Sequence, residues 1–157
     1  MLFAWLMTAF AGTPSALVGS WSFTGGDTQV DAVAQAKENV AQTFNFAIRP
    51  IVRSKLAQPM SVDTGIQVQA SDAGVTITYA GDYPRTVSLK PKGDGFIDDK
   101  GTLTLQPQGD VWVLKGVGED GGLVRRFQVA GDTLTLHSTI FSAQLKEEPE
   151  WTLTYTR

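Results

Sequence analysis

The chain has 157 residues, 42% of them hydrophobic and 18% charged, with a net charge of −3; this length supports one domain with a real core rather than two. Its basic residues are scattered, so nothing resembles the positive face that a phosphate backbone requires, and nucleic acid is not an expected partner. It has no cysteine, which removes disulfides, thiolate metal sites and cysteine nucleophiles together.

Residues 1–16, MLFAWLMTAFAGTPSA, form an apolar run too short to span a bilayer, followed by small residues of the kind signal peptidases accept. They predict an export leader cut after Ala11 or Ala16, although no Lys or Arg precedes Lys37 to give the usual basic start. The alternative is a buried N-terminal segment. On the export reading the mature domain, 17–157, is periplasmic or secreted and has no stable membrane insertion once the leader is gone.

The stretch GSWSF opens the domain with a strand. A helical segment at about 28–57 follows, in which Val33, Val40, Phe44, Ile48, Val52 and Leu56 recur at helical spacing and form one apolar stripe. Asp27 or Thr28 is the expected N-cap, and Pro59 closes the far end. Pro50 lies inside the segment, so the pattern predicts either two helices meeting near Arg49 and Pro50 or one kinked helix. The stripe closes one end of the domain, either as a fixed plug or as a lid hinged at Gly25, Gly26 and Pro50.

From Ser61 the period changes to two. GIQVQA, GVTITYA, RTVSLK, GTLTLQP, DVWVLKG, LVRRFQVA, DTLTLHS, IFSAQL and WTLTYTR read as strands, with SDAG, KGDG, QGD and AGD as turns between them. With the first strand this makes ten. So many short strands at even spacing point to an all-β, closed antiparallel up-and-down barrel of eight to ten strands, since closure abolishes exposed edges. On the last strand Trp151, Leu153, Tyr155 and Arg157 share one face, and three threonines share the other. By the same alternation Ile66, Val68, Val75, Ile77, Tyr79, Val87, Leu89, Leu103, Leu105, Phe127, Val129, Leu134 and Leu136 point inward.

Read together, GSW on the first strand, the helical insertion after it, the antiparallel run and the terminal TLTYTR resemble the calycins, and within that group the lipocalin and fatty-acid-binding proteins. The resemblance covers about 16–157. It implies that Trp21 sits at the barrel floor with Arg157 over its ring, and that Gly19 permits a close backbone approach there. It also implies a cavity site for a carboxylate built from a tyrosine and two arginines. Tyr155 matches the tyrosine. Leu153 stands where one arginine is expected, and the other falls at Arg125 or Arg126, with alternation favouring Arg125 inside.

The expected ligand-binding residues are therefore Tyr155, Arg125, Phe127, Tyr79, Leu136 and Leu153. Each polar member has a structural alternative: Arg125 as a surface arginine, and Tyr155 as a core tyrosine bonded to a backbone carbonyl. His137 shares a face with threonines and points to solvent. KEEPE, Gly93 to Gly101 (GDGFIDDKG) and GVGEDGG read as polar turns, lacking the spacing of a calcium loop or the context of a phosphate cradle. No acid, base or metal constellation can be assembled, so neither catalysis nor a cofactor is expected. The expected function is binding or carriage of a small hydrophobic molecule, such as a fatty acid or another lipid. The competing possibility is a barrel filled by Trp112, Phe127, Tyr79 and Trp151 that serves as an envelope interaction or structural module.

Overall fold

The computed structural model describes residues 14–157; nearly all of the expected leader lies outside the described residues. Ten strands form one closed barrel in the order β1-β10-β9-β8-β7-β6-β5-β4-β3-β2, with every neighbouring pair antiparallel. They are β1 (Gly19–Phe23), β2 (Gly65–Ser71), β3 (Gly74–Ala80), β4 (Arg85–Lys92), β5 (Gly95–Ile97), β6 (Leu103–Gln108), β7 (Val111–Gly118), β8 (Gly121–Ala130), β9 (Thr133–Ser142) and β10 (Glu150–Thr156). Two helices, α1 (Gly26–Gln42) and α2 (Arg49–Ala57), stand between β1 and β2. Among the described residues no helix is long and apolar enough to cross a membrane.

The strand count matches expectation, but two assignments change. DTLTLHS and the start of IFSAQL are one continuous strand, β9, whose ten residues all pair with β8 and of which Thr133–Thr139 also pair with β10. Conversely, the stretch read as a polar turn holds β5, where Phe96 is buried and pairs with Pro91 and Leu105. Three residues are too few to show a period, so β5 was hidden by the glycines and aspartates around it.

The helical segment is two helices. Pro50 lies in the first turn of α2, where its missing N–H has no helical partner to lose. The expected caps are corrected: α1 begins at Gly26, and Gly25 holds the cap position with no side-chain bond. Along the stripe Val33, Val40 and Leu56 are buried and Phe44 and Val52 half-buried, but Ile48 is exposed, because the chain breaks between the helices and the stripe loses its phase there. Gln29 fastens α1 to β10, accepting from the Thr154 backbone N–H (2.8 Å) and donating to its hydroxyl (2.9 Å). Glu38 and Arg53 tie α1 to α2 at 2.7 Å.

The inward-facing residues pack as one core, with Ile77, Leu105, Phe127, Leu134, Leu136 and Tyr155 all at 0% exposure. Val87, Leu103 and Val129 are only half-buried at its margins. Burial of that apolar surface, at about 25 cal/mol per Å², is the main force closing the sheet.

Candidate functional site

A cavity of about 970 Å³ opens between α2 and the upper rim of the barrel. The link between the helices contributes Phe44 and Ile48, and α2 contributes Ile51, Val52 and Leu56; the strands contribute Val87, Leu103, Leu123 and Ile140. Two features of the sheet make room for it. The ladder between β4 and β5 is confined to Lys90–Lys92 on the β4 side, so the unpaired edge at Thr86, Val87 and Ser88 borders the hollow. At the turn between β7 and β8, glycines replace side chains: a Cβ on Gly122 would collide with the Gly116 carbonyl and the Phe141 ring. The motif GVGEDGG is thus a hairpin turn, and part of the cavity wall.

Below the cavity the barrel is filled. Tyr79, Phe127, Leu136, Leu153 and Tyr155 are all at 2% exposure or less, and none of them, nor Arg125, is among the side chains that wall the cavity. The expected apolar contacts therefore lie one storey too deep. Trp151 is buried with them, whereas Trp112 is half-buried and tilts against Phe96 at 6.1 Å between ring centroids. The open and filled barrels weighed above describe the two halves of one molecule.

Arg125 and Tyr155 are brought together, by a residue that sequence reasoning missed. Asp63, in the linker between α2 and β2, is 1% exposed. Arg85 grips its carboxylate through two bonds, Nη1 to Oδ1 at 2.8 Å and Nη2 to Oδ2 at 3.1 Å, the paired geometry that makes arginine a strong carboxylate partner. Arg125, 3% exposed, reaches Oδ2 only at 3.5 Å. Tyr155 donates its hydroxyl to the Asp63 carbonyl at 3.0 Å, so it is a core tyrosine satisfied by backbone. Both guanidiniums lie against the Tyr79 ring, with Cζ of Arg85 4.1 Å and of Arg125 5.0 Å from its centroid. Burial pushes the phenols of Tyr79 and Tyr155 well above the usual range, so both are neutral donors. Arg126 is exposed, which settles the choice between neighbours in favour of Arg125.

Two buried hydroxyls, of Tyr79 and Ser138, have no hydrogen-bond partner among the described residues. Ser138 sits directly opposite Arg125 across the β8–β9 ladder, and the next inward-facing pair along that ladder is Leu123–Ile140, in the cavity wall. The polar cluster is thus one inward rung below the hollow.

At the opposite end Trp21 is 1% exposed and donates its indole N–H to the Leu17 carbonyl at 2.8 Å. The Arg157 guanidinium lies 4.6 Å from the ring. Gly19 has φ of +138°, which favours glycine. A Cβ there would meet nothing closer than an arginine nitrogen at 3.8 Å, so backbone conformation explains this glycine better than the close approach expected for it. His137 lies on the outer face with Thr152 Oγ1 at 3.1 Å, and Glu147 and Glu148 are exposed in the turn before β10. Among the described residues no three His, Asp or Glu side chains converge.

This architecture, a closed antiparallel barrel of ten strands with two helices inserted after the first, is the calycin fold. The chain is similar in structure to a mutant of the fluorescent protein UnaG, with a TM-score of 0.52 at 11% identity, over 92% of this chain and 98% of that one. Human cRBP IV gives 0.45 at 17% identity, over 90% and 97%. A Schistosoma mansoni fatty acid binding protein in complex with arachidonic acid gives 0.46 at 13%, over 93% and 98%. At 11% identity the likeness to the UnaG mutant is one of fold. No protein-family profile and no curated protein sequence matches the chain.

Proposed function

We propose that the protein binds a small hydrophobic or amphipathic molecule, such as a fatty acid or other lipid, in the cavity under α2. The observation that carries this reading is the hollow itself: about 970 Å³, at the upper end of the range for small-molecule sites, lined by Leu, Ile, Val and Phe together with charged residues such as Lys55, Asp98 and Asp120, above a sealed half-barrel. Ligand hydrocarbon buried there gains about 25 cal/mol per Å². Ile48, Ile51 and Val117 are 46%, 56% and 49% exposed at its mouth, giving an apolar ligand an entry surface. Arg125, with Ser138 opposite, stands one inward pair below the Leu123–Ile140 part of the wall and orients the head of an amphipathic ligand. The other polar candidate, Tyr155, acts indirectly by holding Asp63.

Export to a periplasmic or extracellular location belongs to the same reading and rests on the apolar run at 1–16. Of the two cleavage points, Ala11 suits the fold better: the Leu17 N–H donates to the Pro14 carbonyl at 2.9 Å and Leu17 is 1% exposed, a turn that cutting after Ala16 would sever.

One experiment tests both statements. Native mass spectrometry of the protein isolated gently from its host is expected to show a chain cut after Ala11 that carries a lipid-sized adduct. Leu123→Trp, which fills the hollow, is expected to lose the adduct. A wild-type chain with no adduct, and none gained on incubation with fatty acids and neutral lipids, would refute the binding reading. The uncut mass would refute the export reading.

A further inference from the structure

We infer that Asp63 is an internal counter-anion that fixes the charge of the ligand's head group at a single negative charge. The inference rests on the proposed binding of an amphipathic ligand and deepens it by naming the chemical class: a monoanionic amphiphile.

The charges inside the barrel do not balance. Two guanidiniums, Arg85 and Arg125, face one carboxylate, Asp63, leaving one positive charge over. The surplus belongs to Arg125. Arg85 takes both oxygens of Asp63 in a fork and its side chain is 22% exposed, so water reaches it. The Arg125 side chain is 4% exposed; besides its stacking on the Tyr79 ring it has one ionic contact, a long one of 3.5 Å to an oxygen already engaged. A buried guanidinium whose one ionic contact is long is costly unless something else satisfies it. Around it, among the described residues, stand the Ser138 hydroxyl directly opposite, buried with no hydrogen-bond partner, and the buried Tyr79 hydroxyl. The next inward pair beyond Arg125 and Ser138 is the cavity wall.

One anionic group arriving from the cavity balances the cluster and engages these donors. A neutral head leaves Arg125 as it is, and a doubly charged head leaves one negative charge over, set against Asp63. Asp63 is held for this role at three points, two to Arg85 and its own carbonyl to Tyr155. It is a specificity-determining residue that works through Arg125 rather than by touching ligand.

The test uses three probes with the same chain, palmitic acid, hexadecanol and hexadecylmalonic acid, titrated by calorimetry at mildly alkaline pH where every carboxyl is ionised. The wild type is expected to bind the monoacid about tenfold or more tightly than either other probe, a factor worth about 1.4 kcal/mol. Asp63→Asn, which keeps the shape and removes the charge, is expected to move the preference toward the malonate by about tenfold or more. Arg85→Gln frees Asp63 to neutralise Arg125, so the acid is expected to lose its advantage over the alcohol. This second variant decides the matter if Asp63→Asn does not fold. Equal affinity for all three probes in the wild type would overturn the role of Asp63 and leave lipid binding standing. So would an unchanged acid-to-malonate ratio in a folded Asp63→Asn, or an unchanged acid-to-alcohol ratio in Arg85→Gln. Failure of every probe to bind the wild type would overturn both readings.

Discussion

Arg157 holds the barrel floor through several weak contacts at once. Its guanidinium covers the Trp21 ring, donates at 3.3 Å to the carbonyls of Val18 and Gly131, and lies 3.5 Å from Asp132. Those partners come from the start of the domain and from the β8–β9 turn. Arg157→Ala is therefore expected to lower the urea midpoint by the equivalent of about 1 kcal/mol. Arg157→Lys should recover little, since a point charge cannot stack and fork together. An unchanged midpoint in Arg157→Ala would remove the residue from the account of closure. Both members of this pair are visible in the sequence as GSW and TYTR. Asp63 is not, because it sits in MSVDTG, a linker with no period, and its partners lie 22 and 62 residues away. The available signal was indirect: Arg85 has the same parity as Val87 and Leu89, so two inward arginines required an anion.

The helical pair is joined unequally to the barrel. α1 is bonded to β10 through Gln29, while the ionic tie of α2 is to α1, where Arg53 grips Glu38 at 2.7 and 2.9 Å. That guanidinium, helped by Gln42, holds the Glu38 carboxyl at about 2 rather than the ordinary 4.5. The tie is complete above the ordinary value and disappears as pH falls toward 2. Both side chains are about two-fifths exposed, so salt weakens it. Glu38→Gln is expected to speed hydrogen exchange in α2 near neutral pH while the strands keep their protection. Equal protection of α2 and the strands in both proteins would mean that the cap is a fixed plug. Periodicity made the helices and most strands legible, but it failed where an element was three residues long, as in β5, or where two apolar runs met without a turn, as in β9.

The whole molecule divides along the barrel axis, and no alternation pattern could have shown the division, because parity places a side chain on the inner face without saying whether the opposite wall meets it. In the lower half, Phe127 and Leu136 on neighbouring strands are fully enclosed. In the upper half, Leu123 and Ile140, paired on the same two strands, border a hollow. Truncation should therefore have opposite signatures at the two levels. Phe127→Ala leaves a new cavity in packed surroundings and is expected to cost about 3–5 kcal/mol, with Leu136→Ala costing about 2–5. Leu123→Ala enlarges a hollow that already exists and loses fewer contacts, so its cost in the ligand-free protein is expected to stay below about 1.5 kcal/mol, while its effect on lipid affinity is the larger change. Urea titrations of the three variants, with and without palmitic acid, separate the cases: ligand should raise the midpoint of the lower-half variants by as much as it raises that of the wild type, and raise that of Leu123→Ala by less. Equal costs at the two levels in the ligand-free protein would mean that the upper half closes around its own side chains in solution, and the binding reading would lose the hollow on which it stands.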